Sequence, residues 1–416
     1  MQPEGRLILI AGALLALGLG ASLLAGRLRI PGLVLFLGVG MAVGSDGLGL
    51  IDFADYPLAR TIGIIALALI LFEGGLAAGL PEIRPVLGSA LGLALLGTLL
   101  TAVITGLAAG WLLHLSTLEG LLVGSIVSAT DGAAIFALLR GSTLKRRLAR
   151  TLEGEAGMND PVAVLLVLGF VEWIRRDDYG AADMALQFVL QLGIGAAVGA
   201  AVGWLAVQTF RRAQLATGGL YPVASLAVVG IAFGAADTLH GSGFLAVYLA
   251  GLAMGSATLP ARQTVTAFHD GLAWVAQLAM FLTLGLLVFP AQLDDKALEG
   301  TLLALVLVFV ARPVAVLAAT ALAPLGIGDR LVLAWAGLRG AVPVVLSLFP
   351  VLADIPGSLD FFNIVFFAVL VSTLLQGATF EPLARALGTT TTEPALGRPL
   401  VEVGTIRRLG ADVVEV

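Results

Sequence analysis

Runs of about 20 apolar residues, the length a helix needs to cross bilayer hydrocarbon, recur in this chain from one end to the other. Lipid offers the backbone no hydrogen-bond partners, so such runs must satisfy their own N–H and C=O groups, as a helix does. The pattern therefore predicts an all-α polytopic membrane protein. Composition agrees: 59% of residues are hydrophobic and 12% charged, about half the ~25% charge of a soluble domain, and mean hydropathy is +1.02. A net charge of −5 gives no reason to expect nucleic acid as a partner. The absence of cysteine excludes disulfides and thiolate metal sites. The first run, Leu7 to Gly26, lacks a charged leader and a convincing cleavage site, so it reads as a first span rather than a signal peptide.

Charged or Pro/Gly-rich breaks divide the chain into about thirteen transmembrane pieces. They fall near 7–26, 30–45, 59–79, 85–112, 117–140, 150–173, 185–209, 220–237, 242–257, 266–289, 298–323, 330–350 and 360–387. Loops after odd-numbered spans hold Arg27, Arg29, Arg84, Arg140, Lys145, Arg146, Arg147, Arg150, Arg211, Arg212, Arg262 and Arg330. The other loops hold only Arg6, Arg60, Arg175, Arg176 and Lys296. The positive-inside rule then places the N-terminus outside and the C-terminus in the cytoplasm, in a cell (inner) membrane. Residues 1–388 form the expected transmembrane domain, and 389–416 a cytoplasmic linker or the start of a truncated regulatory domain. Small residues, as in "GIGAAVGAAVGW" from Gly193, read as close helix packing.

Ionisable groups in a span are costly and need a reason. Glu73, Asp131, Glu155 and Asp160 lie within apolar spans, against Arg312 and Arg339. Four acids against two bases is an anionic excess, which suits a cation pathway better than a balanced structural network. Two spans also look broken, around 128–132 ("SATDG") and 337–343 ("GLRGAVP"). Non-helical backbone at membrane depth persists only where it is buried in protein or lines a wet cavity. If spans one to six and eight to thirteen are two inverted six-helix repeats, the breaks occupy equivalent positions, the sequence mark of a mid-membrane ion site.

"SATD" in one span, "EGEAGMNDPVAVLL" in the next, an earlier "LFEGGL" and a late "GLRGAVP" together resemble the cation/proton antiporter superfamily, in its "ND" branch, and bacterial potassium/proton antiporters of the NhaP type. The resemblance covers nearly the whole chain, with the motifs in the right order and spacing. It implies that Asp160 is the ion-binding and proton-accepting carboxylate, and that Asn159 is the amide that goes with electroneutral exchange. It implies a buried ion pair between Glu155 and Arg339, with Thr130 and Asp131 beside the ion and Glu73 joining the site as in some members. Members with that glutamate carry a serine ligand where this chain has Ala156. The resemblance further implies a six-span transport bundle on a scaffold that pairs two subunits as a homodimer in lipid, and a cytoplasmic regulatory domain after the membrane part.

The residues alone leave some roles open. Asp160 could cap its helix ahead of Pro161, and Asp131 before Gly132 suits a local turn. Glu73 divides between the ion site and pairing with a base, and Arg312 between a helix end and an acid. Ser128 is an auxiliary candidate, and Glu153, beside Arg150, reads as a solvated or funnel residue. His114, His240 and His269 fall near span ends or loops. The expected activity is electroneutral exchange of K+ for H+, with cation and proton competing at Asp160, and with Na+ as the alternative cation. No cofactor is called for. A passive cation channel and a non-transporting sensor are the readings from other classes. An intramembrane zinc protease would need an HExxH pair, which the sequence lacks.

Overall fold

A computed structural model describes residues 3–28, 32–139, 142–212, 215–288 and 296–391. Its helices are α1 (Pro3–Leu28), α2 (Gly32–Val43), α3 (Tyr56–Ala78), α4 (Leu80–Leu112), the two halves α5a (Thr117–Ser128) and α5b (Gly132–Leu139), and α6 (Arg146–Arg175). They continue as α7 (Ala181–Arg212), α8 (Leu220–Thr238), α9 (Gly243–Gly255), α10 (Arg262–Leu286), α11 (Ala297–Ala319), α12a (Ile327–Trp335), α12b (Ala341–Leu352) and α13 (Ser358–Ala386). Among the described residues, nine helices are long and apolar enough to cross a membrane by length and composition, while α2, α5a, α9 and α12b are shorter. Both expected breaks are present, after Ser128 and after Trp335.

Local chemistry sets the helix starts. Asp55 accepts from the Leu58 N–H (2.8 Å) ahead of Pro57 and so caps α3. Ser116 and Glu119 form a reciprocal capping box on α5a. The positive-φ residues His114 and His240 lie in the turns after α4 and α8. His269 departs from expectation: it is buried within α10, its Nε2 2.8 Å from the Ser225 hydroxyl.

Packing divides the helices into two units. In one, α3 packs on α9 and α10, α2 on α10, and α7 on α8 and α9. In the other, α4 packs on α5a and α6, α11 on α13 and α4, and α12a and α12b on α13. Glycines set the closest approaches: Gly40 meets Gly285, and Gly75 meets Gly251, each leaving no room for a Cβ. Lipid tails are as apolar as leucine, so such van der Waals contact, rather than a hydrophobic drive, holds helices together in a bilayer.

Of the loops expected inside, those after α3, α5b and α11 gather at one end. There Lys145 lies 3.7 Å from Asp329, Arg146 2.6 Å from Glu82, and Arg147 donates to the Pro324 carbonyl at 3.0 Å. Thr389 and Thr391 bond to Lys145 and Thr143 at this same end. The remainder of the expected linker or regulatory segment, 392–416, lies outside the described residues.

Candidate functional site

The two broken helices cross where their backbones leave helical form. The Asp131 N–H donates to the Leu338 carbonyl at 2.9 Å, joining the breaks directly. Asp131 Oδ1 accepts from the Ala134 N–H (3.2 Å), capping α5b, and its carboxylate lies so close to Gly340 that a Cβ there would overlap it. The acid thus stands at the N-terminal ends of both α5b and α12b, where helix dipoles favour negative charge. Arg339 does the converse, donating from Nη1 to the Ser128 carbonyl at the C-terminal end of α5a (2.7 Å). The capping role left open for Asp131 is therefore one of its functions. Ser128 contributes its carbonyl to this contact, while its hydroxyl turns to the Ser125 carbonyl at 2.7 Å.

Helix α6 supplies the residues facing this crossing. Asn159 and Asp160 are buried, and the Asn159 amide donates to the Thr130 hydroxyl in the first break. Asp160 lies in the field of Asp131 and of Arg339, and its Oδ1 has no hydrogen-bond partner among the described residues. Pro161, inside α6, provides no N–H for the carbonyl one turn earlier, that of Gly157. Glu73 is buried on α3, which packs against α5b, α6 and α12b.

The expected pairing of Glu155 with Arg339 is corrected. Glu155 Oε1 lies 2.6 Å from Arg312 Nη1, both groups being buried, while Arg339 serves the α5a terminus. The contact is one of proximity: neither Glu155 oxygen has a well-angled hydrogen bond. Two features turn Arg312 toward α6. A π turn over Leu307–Ala311 immediately precedes it and rotates the helix beyond by one residue. Gly337 then gives it passage, since a Cβ there would lie 2.6 Å from Arg312 Nε. Arg312 also donates to the Leu333 carbonyl (3.3 Å), so it serves an acid and a helix end at once. Arg339 still lies in the field of Glu155 and Asp160, so the four charges form one cluster.

Glu153 is not solvated. It is 4% exposed and holds Arg150 at 2.7 Å, and Arg150 in turn reaches Glu82 at 3.2 Å.

Helix α13 contributes residues that the sequence reading passed over. Thr373 donates to the Arg339 carbonyl, and Gln376 Nε2 to the Trp335 carbonyl (3.0 Å), so α13 satisfies backbone that the second break frees. Ser372 steadies Gln376 at 2.6 Å. The cluster Ser372, Thr373 and Gln376 in an otherwise apolar span was the available signal.

The site thus offers a buried carboxylate, a second acid, a hydroxyl and backbone carbonyls. Such hard oxygens suit a proton or an alkali cation, and a carboxylate out of water can hold either.

Comparison with known proteins agrees with this fold. The family model for the transmembrane sodium/hydrogen exchangers matches residues 12–386. The chain is 43% identical over 391 residues to the K+/H+ antiporter NhaP of Alkalimonas amylolytica, covering 93% of this chain and 68% of that protein. It is 42% identical over 380 residues to the K+/H+ antiporter NhaP2 of Shewanella sp. strain MR-4, covering 91% of this chain and 66% of that one. It therefore spans about two thirds of the length of these relatives. The Na+/H+ antiporter NhaH of Halobacillus dabanensis is 27% identical over 396 residues, covering 90% of this chain and 96% of that one. In fold, the chain superposes on the sodium proton antiporter MjNhaP1 of Methanocaldococcus jannaschii with a TM-score of 0.80 at 23% identity, covering 91% of this chain and 98% of that one. With the family model spanning nearly all its helices and relatives above 40% identity, the chain belongs to the transmembrane sodium/hydrogen exchanger family.

Proposed function

We propose that this chain is an electroneutral secondary antiporter that exchanges K+ for H+ across the cell inner membrane by alternating access. The observation that carries the reading is Asp160, a buried carboxylate at the crossing of two broken helices, with an uncharged amide, Asn159, as its neighbour. One titrating acid takes either one proton or one monovalent cation, so each cycle moves equal charge both ways. Thr130, Asp131 and the opened backbone complete a cation's oxygen shell, and Glu73 approaches from the scaffold on α3. Thirteen crossings with the N-terminus outside, and a homodimer paired through the scaffold, accompany this reading. K+ is chosen over Na+ because the relatives above 40% identity are named K+/H+ antiporters. Sodium is the second reading, supported by the more distant relative, which is named a Na+/H+ antiporter.

The test is collapse of an imposed pH gradient in proteoliposomes on addition of K+, Na+ or Li+. Wild type is expected to respond to K+ first, with an apparent KM that rises as pH falls because protons compete, and Asp160→Asn is expected to be inactive. Wild-type rates in Asp160→Asn would overturn the site. A response to Na+ alone would overturn the choice of ion.

A further inference from the structure

We propose that Tyr248 is the inner gate of this exchanger: its ring, seated on Gly157, closes the cytoplasmic approach to Asp160, and transport requires it to leave. The proposal rests on the exchange reading and orientation above.

The face of α6 that leads inward from Asp160 presents Gly157 and then Glu153, each about one turn from the last. Over the middle of that face lies Tyr248 of α9, so close that a Cβ at Gly157 would fall within the ring. Glycine is the one residue that admits the ring here. Tyr248 is 1% exposed, Glu153 lies within electrostatic reach of its hydroxyl, and that hydroxyl has no hydrogen-bond partner among the described residues. A buried tyrosine ordinarily finds a partner for its O–H, so the ring is here for its shape. Contact made by dispersion alone gives only tenths of a kcal/mol per atom pair and has no directional latch, which is what a closure that must reopen each cycle needs.

The placement is also right for a gate. Tyr248 belongs to the α3/α9/α10 unit and Gly157 to the α4/α6/α11/α13 unit, so the ring closes the seam between two bodies. The same seam is closed toward the other end, where Arg60 of α3 lies 4.4 Å over the Phe349 ring and Gly63 meets Val345. Asp160 sits between the two closures. When the ring withdraws, the Gly157 carbonyl, which Pro161 deprives of its helix donor, becomes an accessible oxygen on the way in.

The chain has no native cysteine, so one introduced at buried Ala156 reports access to this face. Ala156→Cys protein in oriented vesicles is treated with a charged, membrane-impermeant methanethiosulfonate from either side, alone and combined with Tyr248→Ala, Tyr248→Phe or Gly157→Ala. Tyr248→Ala is expected to speed modification from the cytoplasmic side by about tenfold or more, with the external rate unchanged. Gly157→Ala, which expels the ring without removing it, is expected to do the same, and Tyr248→Phe to leave the rate as it was. Gly157→Ala keeps the test open if loss of the tyrosine prevents folding. No change in either opened variant, or an equal rise from both sides, overturns the gate. Flux through Asp160→Asn is read separately, so failure of the exchange reading is distinguishable from failure of the gate.

Discussion

The halves α1–α6 and α8–α13 have one backbone plan and opposite chemistry. Each has a short second helix, α2 or α9, and a third helix that receives the short helix of the other half at a glycine, Gly285 or Gly75. Each fourth helix contains a five-residue π turn, Leu93–Gly97 or Leu307–Ala311, and each fifth helix is broken. Each sixth helix braces the break of its own half, Asn159 to Thr130 and Thr373 to Arg339. The charges are not repeated. Within these transport helices the first half buries Asp131, Glu153, Glu155 and Asp160, whereas the second buries Arg312 and Arg339. In "TDGA" and "LRGA" the acid and the base even hold the same place before the glycine. The repeat thus builds two crossed openings, and the sign split leaves the acids on one half and, on the other, the bases that steady them.

The largest effect should come from removing that steadying charge. Arg312→Leu strands Glu155, a loss of about 3–5 kcal/mol for a broken buried pair, seen as a lower unfolding temperature in detergent. Adding Glu155→Leu should recover most of the loss. If the double variant is as unstable as the single one, Arg312 is bound mainly to the second half's own backbone and the comparison fails.

That pair also marks where the sequence stops being legible. Spans, breaks and buried charges follow from hydropathy and from the cost of charge in lipid, so the two broken helices and the buried charges on α5, α6, α11 and α12 were legible, while the part each site residue plays was implied by the family resemblance. Which arginine meets Glu155 could not. A π turn carries no composition signal in "LVFVA", yet it rotates Arg312 onto α6. Glu153 misled for a related reason: an acid beside Arg150 in a basic loop reads as wet until α4 and α9 are packed over it. Tyr248 was one aromatic among many apolar residues until its ring fell on Gly157.

The glycine contacts give the next effect. A Cβ at Gly40 would lie 2.5 Å from the Leu282 carbonyl oxygen, and one at Gly251 would press on the Phe72 carbonyl. Gly40→Ala and Gly251→Ala should each destabilise by about 3 kcal/mol, near the top of the usual range for overpacking, because backbone cannot swing aside. Thermal unfolding of both variants sharpens the comparison if the losses agree. A loss at one site alone would mean that the halves share a path but not a packing.

The two braces should separate by function at smaller cost. Thr130→Val and Thr373→Val each leave one buried polar group unpaired, worth about 1–2 kcal/mol. Only Thr130 is expected to raise the KM for the cation, because its hydroxyl faces the anionic half. Thr373→Val should lower stability with KM unchanged, and a shifted KM there would mean that the second half also touches the ion.

The smallest effect lies at the starts of α5a and α12a, which are equivalent ends. Ser116 and Glu119 cap the first in both directions, whereas at the second only Asp329 reaches back, accepting from the Gly326 N–H at 3.2 Å. Gly326 has an extended backbone (φ −71, ψ 166) and an added Cβ would meet nothing nearer than Asp329 Oδ2 at 3.7 Å, so serine fits there unstrained. Gly326→Ser should therefore gain a few tenths of a kcal/mol, about 0.3, and Ser116→Gly should lose a similar amount. Thermal unfolding of the two variants and their combination checks this. Opposite shifts of similar size would show that a local device from one half can be copied into the other.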